Sequence, residues 1–257
     1  MDQLVLVAAV TVLLYMLIIF IYAQFIKNNS IVDAGWGIGF FLITAVLSLK
    51  KENANSQETI LLVLITVWAV RLSVHIWLRA RGKGEDFRYA QWRKDWGKHA
   101  VVNAFFKVFM LQGVIMLVIA FPILVVFNSA HIWSAELLVA GSVVYAAGVI
   151  IEGISDYQLL AFKLDGGNAG KIITTGLWKY SRHPNYFGET LVWWGIGIFA
   201  FGVSMNWLSF ISPLVLNLLL LKVSGIPLLE KKYNGNPEWD AYKKLTPAFI
   251  PVFGKKN

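Results

Sequence analysis

The stretch Gly176–Glu189 sets the densest group of polar side chains in the chain directly against an apolar run. Lys179, Arg182, His183, Asn185 and Glu189 fall within it, and Leu191–Phe201 follows, almost wholly apolar. Pro184 cannot donate a backbone hydrogen bond and suits the first turn of a helix. The basic group therefore sits at a helix entrance, and Asn185 and Glu189, four apart, share one face inside it. Helix entrances attract anions. Cations there, backed by two polar side chains within an apolar helix, are chemistry for holding a phosphate-bearing molecule.

Other candidates lie in apolar surroundings. Arg71 and His75, four apart, fall inside a hydrophobic run and are costly there unless paired. Arg71 either ties helices together, through Glu189 or Asp33, or binds a phosphate or a substrate oxygen. Asp33 is either a helix cap or an acid facing a cavity. Glu152, Asp156 and Lys163 read either as a solvated helix end or as carboxylates accepting from ribose hydroxyls with a lysine on phosphate. Asp165–Lys171 is glycine-rich, but Ile172 stands where a P-loop needs Ser or Thr, and no strand precedes it. No strand-borne GxGxxG exists, which excludes a dinucleotide-binding sheet domain. His75, His99, His131 and His183 are scattered and form no HExxH, so no metal site is expected. There is no GxSxG, and the absence of cysteine removes thiolate ligands, thiol nucleophiles and disulfides.

The elements that position these residues are helices in a membrane. Of the 257 residues 57% are hydrophobic and only 15% charged, with mean hydropathy +0.61, too apolar for an ordinary soluble domain. Seven runs reach spanning length: Leu4–Phe25, Ala34–Leu49 (short, glycine-rich, a break or a close-packing segment), Thr59–Arg79, Ala104–Phe127 with a kink at Pro122, Ile132–Ile154, Asn185–Gly202 and Leu208–Gly225. The first has no basic leader and no cleavage site, and reads as a retained span. The net charge of +8 gathers in the loops Arg79–Asn103 and Ser155–Pro184 and in the tail (Lys231, Lys232, Lys243, Lys244, Lys255, Lys256). Basic residues on alternate loops give an outside N-terminus and a cytosolic C-terminus, and a bilayer rather than a nucleic acid as partner. The predicted fold is all-α and polytopic: one domain over 1–257, about seven helices around a cytosol-facing cavity, with the candidate anion-holding stretch inside 150–257. Oligomeric state is not legible.

The pattern Gly-Leu-Trp-x-x-Ser-Arg-His-Pro-Asn-Tyr-x-Gly-Glu over 176–189 resembles the C-terminal signature of membrane sterol and steroid reductases. With Asp33-x-x-Trp-Gly-x-Gly-Phe40, Gly84-Glu-Asp-Phe-Arg-Tyr89 and Ser224-Gly-Ile-Pro-Leu-Leu-Glu-Lys231, the whole chain resembles a steroid 5-alpha-reductase-like bacterial family known as DUF1295. That resemblance implies a seven-helix bundle in which NADPH reduces a C=C bond of a lipid-like substrate. Carried over by position, it implies Asp156 of Ser155-Asp156-Tyr157 at the cofactor, Lys163 and Lys171 near phosphates, Asn185 and Glu189 at the nicotinamide half, and Arg71 near the cofactor. Tyr180, Arg182 and His183 fall in the same signature, and Tyr242 lies in a tail similar to that of sterol reductases. Glu152 replaces an Asn, Lys222 is the nearest substitute for unmatched seventh-helix residues, and Asp33 occupies the region of a Gln-Glu pair. Asp33, with His75 or Arg71, is then expected to supply a proton or polarise a carbonyl, with Glu189 beside the reacting ring. The rival is an S-adenosylmethionine-dependent methyltransferase of the isoprenylcysteine or phospholipid type, which shares Arg-His-Pro-x-Tyr-x-Gly. Those enzymes usually carry paired glutamates where this chain has the single Glu230.

Overall fold

A computed structural model describes residues 1–51, 53, 55–130 and 132–253, so His131, Lys255 and Lys256 lie outside the described residues. The described residues form helices and no strand: α1 Asp2–Phe25, α2 Ile31–Leu49, α3 Ser56–Ala80, α4 Phe87–Ile119, α5 Phe121–Asn128, α6 Ala135–Leu164, α7 Pro184–Ser204, α8 Trp207–Lys231 and α9 Pro237–Leu245. Among the described residues seven of these, all but α5 and α9, are long and apolar enough to cross a membrane.

Two spans differ from expectation, for local reasons. α4 starts at Phe87, not Ala104, so most of the expected basic loop Arg79–Asn103 is helical, with a sharp turn at Gly97 (φ +49°) between the polar Phe87–Trp96 and the apolar remainder. The Asp86 carboxylate accepts from the Arg88 backbone N–H at 3.1 Å and caps the helix. Arg93 is held in two bonds by Glu85, at 3.0 and 2.9 Å. Short-range pairing thus lets a polar segment fold as a helix ahead of the apolar one. α4 contains a π-helical stretch, Phe105–Met110, and stops at Ile119. Pro122 does not kink it; it lies in the first turn of a new helix, α5. Likewise α6 runs on to Leu164, beyond the expected end at Ile154.

The chain divides into two compact units. The first holds Met1–Trp133 with Val203–Ser209. Apolar helices gain nothing from leaving water once they are in lipid, so small residues that let backbones approach decide their packing. α2 serves three neighbours this way. A Cβ on Gly35 would meet Tyr15 and Ile19 of α1, one on Gly37 would lie 2.8 Å from the Ala69 carbonyl of α3, and one on Gly39 would strike Met116 of α4. The glycine-rich start of α2 is a close-packing segment, not a break. Phe40 sits edge-on between Trp36 and Trp68, each centroid 5.5 Å away.

The second unit holds Ser134–Gly202 with Phe210–Asn257. α6 and α7 run antiparallel along a seam of glycines seven residues apart: Gly141 and Gly148 on α6, Gly188, Gly195 and Gly202 on α7. A Cβ on Gly141 would lie 2.5 Å from the Phe199 N, one on Gly148 2.5 Å from the Val192 N, and one on Gly188 2.6 Å from the Glu152 N. Thr190 of α7 donates to Asn217 of α8 at 2.9 Å.

Candidate functional site

The glycine seam fixes what faces what at one end of α6 and α7. With Gly188 against the backbone of Glu152, the α6 stripe Glu152–Asp156 meets the α7 stripe Asn185–Glu189. Both pairs are spaced by four, so each lies on one helix face. Asn185 Nδ2 donates to Asp156 Oδ1 at 3.3 Å, and Trp193 Nε1 donates to Glu189 Oε1 at 3.0 Å. Glu152, Asp156 and Glu189 are 4%, 5% and 8% exposed. The solvated-helix-end reading of Glu152 and Asp156 therefore does not hold. Lys163 continues the α6 stripe two turns beyond Asp156 and is exposed, as is Lys171. Burying carboxylates costs several kcal/mol or more unless they are paired or serve a ligand. The start of α7 at Pro184 is as expected.

The segment 176–187 is built around this cluster. Gly176 has φ +61°, and a Cβ there would run into Gln158, so only glycine fits. The Leu177 N–H then donates to Gln158 Oε1 at 2.9 Å, and Trp178 Nε1 to the Ser155 carbonyl at 3.1 Å, pinning the segment to α6. Arg182, expected at a phosphate, is engaged elsewhere: Nε donates to Glu230 at 2.9 Å, and Nη1 to the carbonyls of Thr246 at 2.6 Å and Lys243 at 3.3 Å. Its guanidinium lies 5.8 Å from the Trp239 ring. His183 stacks on Tyr186 at 5.6 Å and shares Glu230 through Nε2 at 3.1 Å. Tyr242 is buried and bonds to the Trp178 carbonyl; burial raises its phenol well above the usual range, so it stays a donor. The tail beyond α9 crosses the same segment. Arg182 N donates to the Pro247 carbonyl at 2.9 Å, Ser181 Oγ to Phe249 at 2.7 Å and Val252 N to Tyr180 at 3.1 Å, and the Tyr180 ring lies 4.8 Å from that of Phe253. Lys222 is exposed, in a π-helical stretch of α8. Arg182→Ala leaves Glu230, a largely buried carboxylate, with His183 as its remaining side-chain partner. Losing one partner of such a pair costs ~3–5 kcal/mol when buried. We expect a lower melting temperature and faster proteolysis within 232–253, with part of that loss recovered in Arg182→Ala/Glu230→Leu, which removes the stranded carboxylate.

The first unit holds polar residues grouped around Asp33. Asp33 is not the helix cap: it is the third residue of α2, whose N-cap, Ser30, makes no side-chain capping bond. Its carboxylate accepts from Arg88 Nη2 at 2.9 Å and from the Tyr89 hydroxyl at 2.6 Å, and Gln112 Nε2 reaches Tyr89 at 3.3 Å. Arg71 and His75 lie one turn apart on α3, both partly buried. Glu85 also accepts the Asn29 N–H at 2.6 Å. Desolvation pushes the Glu85 and Asp86 carboxyls up, but their bonds to Arg93 and Asn29, and to Arg88, outweigh it and hold both below the ordinary range. Depressed carboxyl pKa values give stability that is complete above the unfolded value, about 4, and lost as pH falls through the folded one. The melting temperature should therefore be flat near neutrality and fall in acid, and Glu85→Gln should flatten that acid limb.

Tyr89, Arg88 and Gln112 were not singled out as site residues, although Asp86-Phe-Arg-Tyr89 carries a visible signal: an N-cap acid two residues before a cation. Among the described residues no group of three or more His, Cys, Asp or Glu is placed to hold a metal ion. One family model matches the chain, that of a protein of unknown function, DUF1295, over residues 19–246. No curated protein and no solved structure matches it.

Proposed function

The chain belongs to the DUF1295 family, and from that membership and the cluster on α6 and α7 we propose a membrane-embedded, NADPH-dependent reductase of a C=C bond in a lipid-like substrate. The observation that supports it most is the gathering of Glu152, Asp156, Asn185 and Glu189, all but Asn185 fully buried, at one end of an apolar helix pair. Polar groups are not placed there for stability, since apolar residues would pack α6 on α7 at lower cost.

The donor set fits such a cofactor. Carboxylates accept from ribose hydroxyls, and an Asn with a Glu pairs both sides of a carboxamide. Phosphate charge falls to Lys163 and Lys171, exposed and beyond the carboxylates, because Arg182 has its donors on Glu230, Thr246 and Lys243. Arg182, His183, Tyr180 and Tyr242 are on this view positioning residues, which hold the entrance of α7 in shape. Bound there, NADPH would supply a hydride to an electron-poor carbon. The matching proton needs a separate donor.

Mass spectrometry of small molecules that copurify with the protein in mild detergent tests the proposal. NADP(H) supports it. Adenosylmethionine or its demethylated product would replace it with a methyltransferase, since the same carboxylates also suit the ribose and sulfonium of that cofactor.

A further inference from the structure

We propose that the chain forms a two-fold symmetric dimer in the bilayer through α8 of the second unit, with the Asn217 side chains of the two copies hydrogen-bonded to each other beside Leu214 and Leu218. The dimer goes beyond the reductase reading and does not depend on it, since no residue of the proposed nucleotide site takes part.

Asn217 is the one polar side chain in Leu214–Leu221, which is otherwise leucine and valine. It lies within Ile211–Leu218, a regular α-helical stretch of α8. Its level is given by its neighbour on α7. The Thr190 hydroxyl donates to Asn217 Oδ1 at 2.9 Å, and α7 begins at Pro184, so the pair lies ~9 Å inside that helix end at 1.5 Å per residue.

Hydrocarbon supplies no hydrogen-bond partner, so a polar group at that level must find one in protein. Thr190 uses one lone pair of the Asn217 oxygen. The amide also carries two N–H donors. Among the described residues Nδ2 meets no acceptor, and it is not sealed in the interior, for Asn217 is partly exposed. A bond that only tied α7 to α8 would not require an amide. A serine at 217 could accept from Thr190 and turn its own hydrogen back to a carbonyl of its helix, with no donor left over.

Depth decides what meets those donors. Acyl chains carry no acceptor there. A second copy does: chains inserted with the same orientation bring Asn217 to the same level, and the carboxamide is self-complementary. Each N–H can donate to the other copy's Oδ1, through the lone pair that Thr190 leaves free. The surrounding surface fits a second helix. Leu214, Asn217 and Leu218 fall in one sector of about 100°, with both leucines open, 57% and 56% exposed. Ser212, Pro213 and Leu216, on the other side of α8, are buried. Leucines alone would say little, because lipid covers them as well as protein does. The amide in their sector makes the difference.

The chain has no cysteine, so single introduced cysteines report proximity. Leu214→Cys and Leu218→Cys in the full-length protein, oxidised in native membranes, should each give a disulfide-linked dimer. Ile150→Cys on α6, equally open at 59%, is the control and should stay monomeric. Energy transfer between copies labelled at Gly166→Cys, an exposed position, then gives the affinity in phosphatidylcholine vesicles of increasing lipid content. Interhelical amide bonds in membranes are individually weak, and two form across the two-fold, so Asn217→Leu should weaken association about tenfold. Melting curves establish that each variant is folded. Cross-linking no stronger at Leu214 and Leu218 than at Ile150, a monomer at every lipid content, or unchanged affinity in Asn217→Leu would each overturn the proposal. So would the loss of a copurifying small molecule from Asn217→Leu with association intact, which would assign the amide to that ligand.

Discussion

Gly195→Leu is expected to abolish recovery of folded protein. Gly195 packs against the backbone of Tyr145, and even a single Cβ there would overlap the Tyr145 N and lie 2.7 Å from the Gly141 carbonyl. The obstruction is backbone, so no side chain can swing aside. α6 and α7 would have to separate along the whole seam, because Gly141, Gly148, Gly188 and Gly202 make equally close approaches on either side. Overpacking of a core typically costs ~1–3 kcal/mol, and Gly195→Ala should fall in that range. Leucine adds a branched side chain to a contact that has no room for one carbon, and removes the close approach on which helix association in lipid depends. The expected readout is loss of the monodisperse peak in detergent size-exclusion chromatography. Gly166→Ala is the matching control: nothing lies within 4 Å of a Cβ at Gly166, and its melting temperature should not move.

The second large effect is on ligand binding without loss of fold. Asp156→Ala and Glu189→Ala each remove a buried carboxylate from the α6–α7 cluster. Hydrogen bonds to charged groups are worth ~1.5–3 kcal/mol, so each variant should bind NADPH about 10- to 100-fold more weakly. Asp156→Ala should keep its melting temperature without ligand, since a buried carboxylate is itself a cost, whereas Glu189→Ala also leaves the buried Trp193 N–H without its acceptor and should lose about 1–3 kcal/mol. That split between affinity and stability separates a ligand-holding role from a structural one. Arg182→Ala should behave in the opposite sense, with stability falling first. A chain in which Asp156→Ala lowers the melting temperature and leaves nucleotide affinity unchanged would assign the cluster to packing.

Part of this was legible in the residues. Pro184 as a helix start, Asn185 and Glu189 on one face, and seven apolar spans follow from backbone chemistry and periodicity, which act locally. The glycines of α2 were readable either as a break or as close packing, and the structure decides for packing. Those of α6 and α7 were equally visible, but spacings of seven acquire meaning only when two helices are known to face each other. The length of α4 was hidden because Glu85, Asp86, Arg88 and Arg93 look like a solvated loop until they are seen to pair with one another. The role of Arg182 was hidden for a different reason. Its partners, Glu230 and Thr246, lie 48 and 64 residues away, and no local pattern reports a contact that only the fold creates. Glu152 and Asp156 read equally well as a helix end, because the true end of α6 lies at Leu164.

The most direct test of the central claim, that a nucleotide docks on the carboxylates and amide of α6 and α7, is an equilibrium titration of the purified protein in lipid nanodiscs. NADPH and adenosylmethionine would be titrated in parallel against the unaltered chain and Glu189→Ala. Saturable NADPH binding that adenosylmethionine does not displace, weakened about 10- to 100-fold in the variant, is the predicted result. Adenosylmethionine binding in place of NADPH, or NADPH binding untouched by Glu189→Ala, would contradict it.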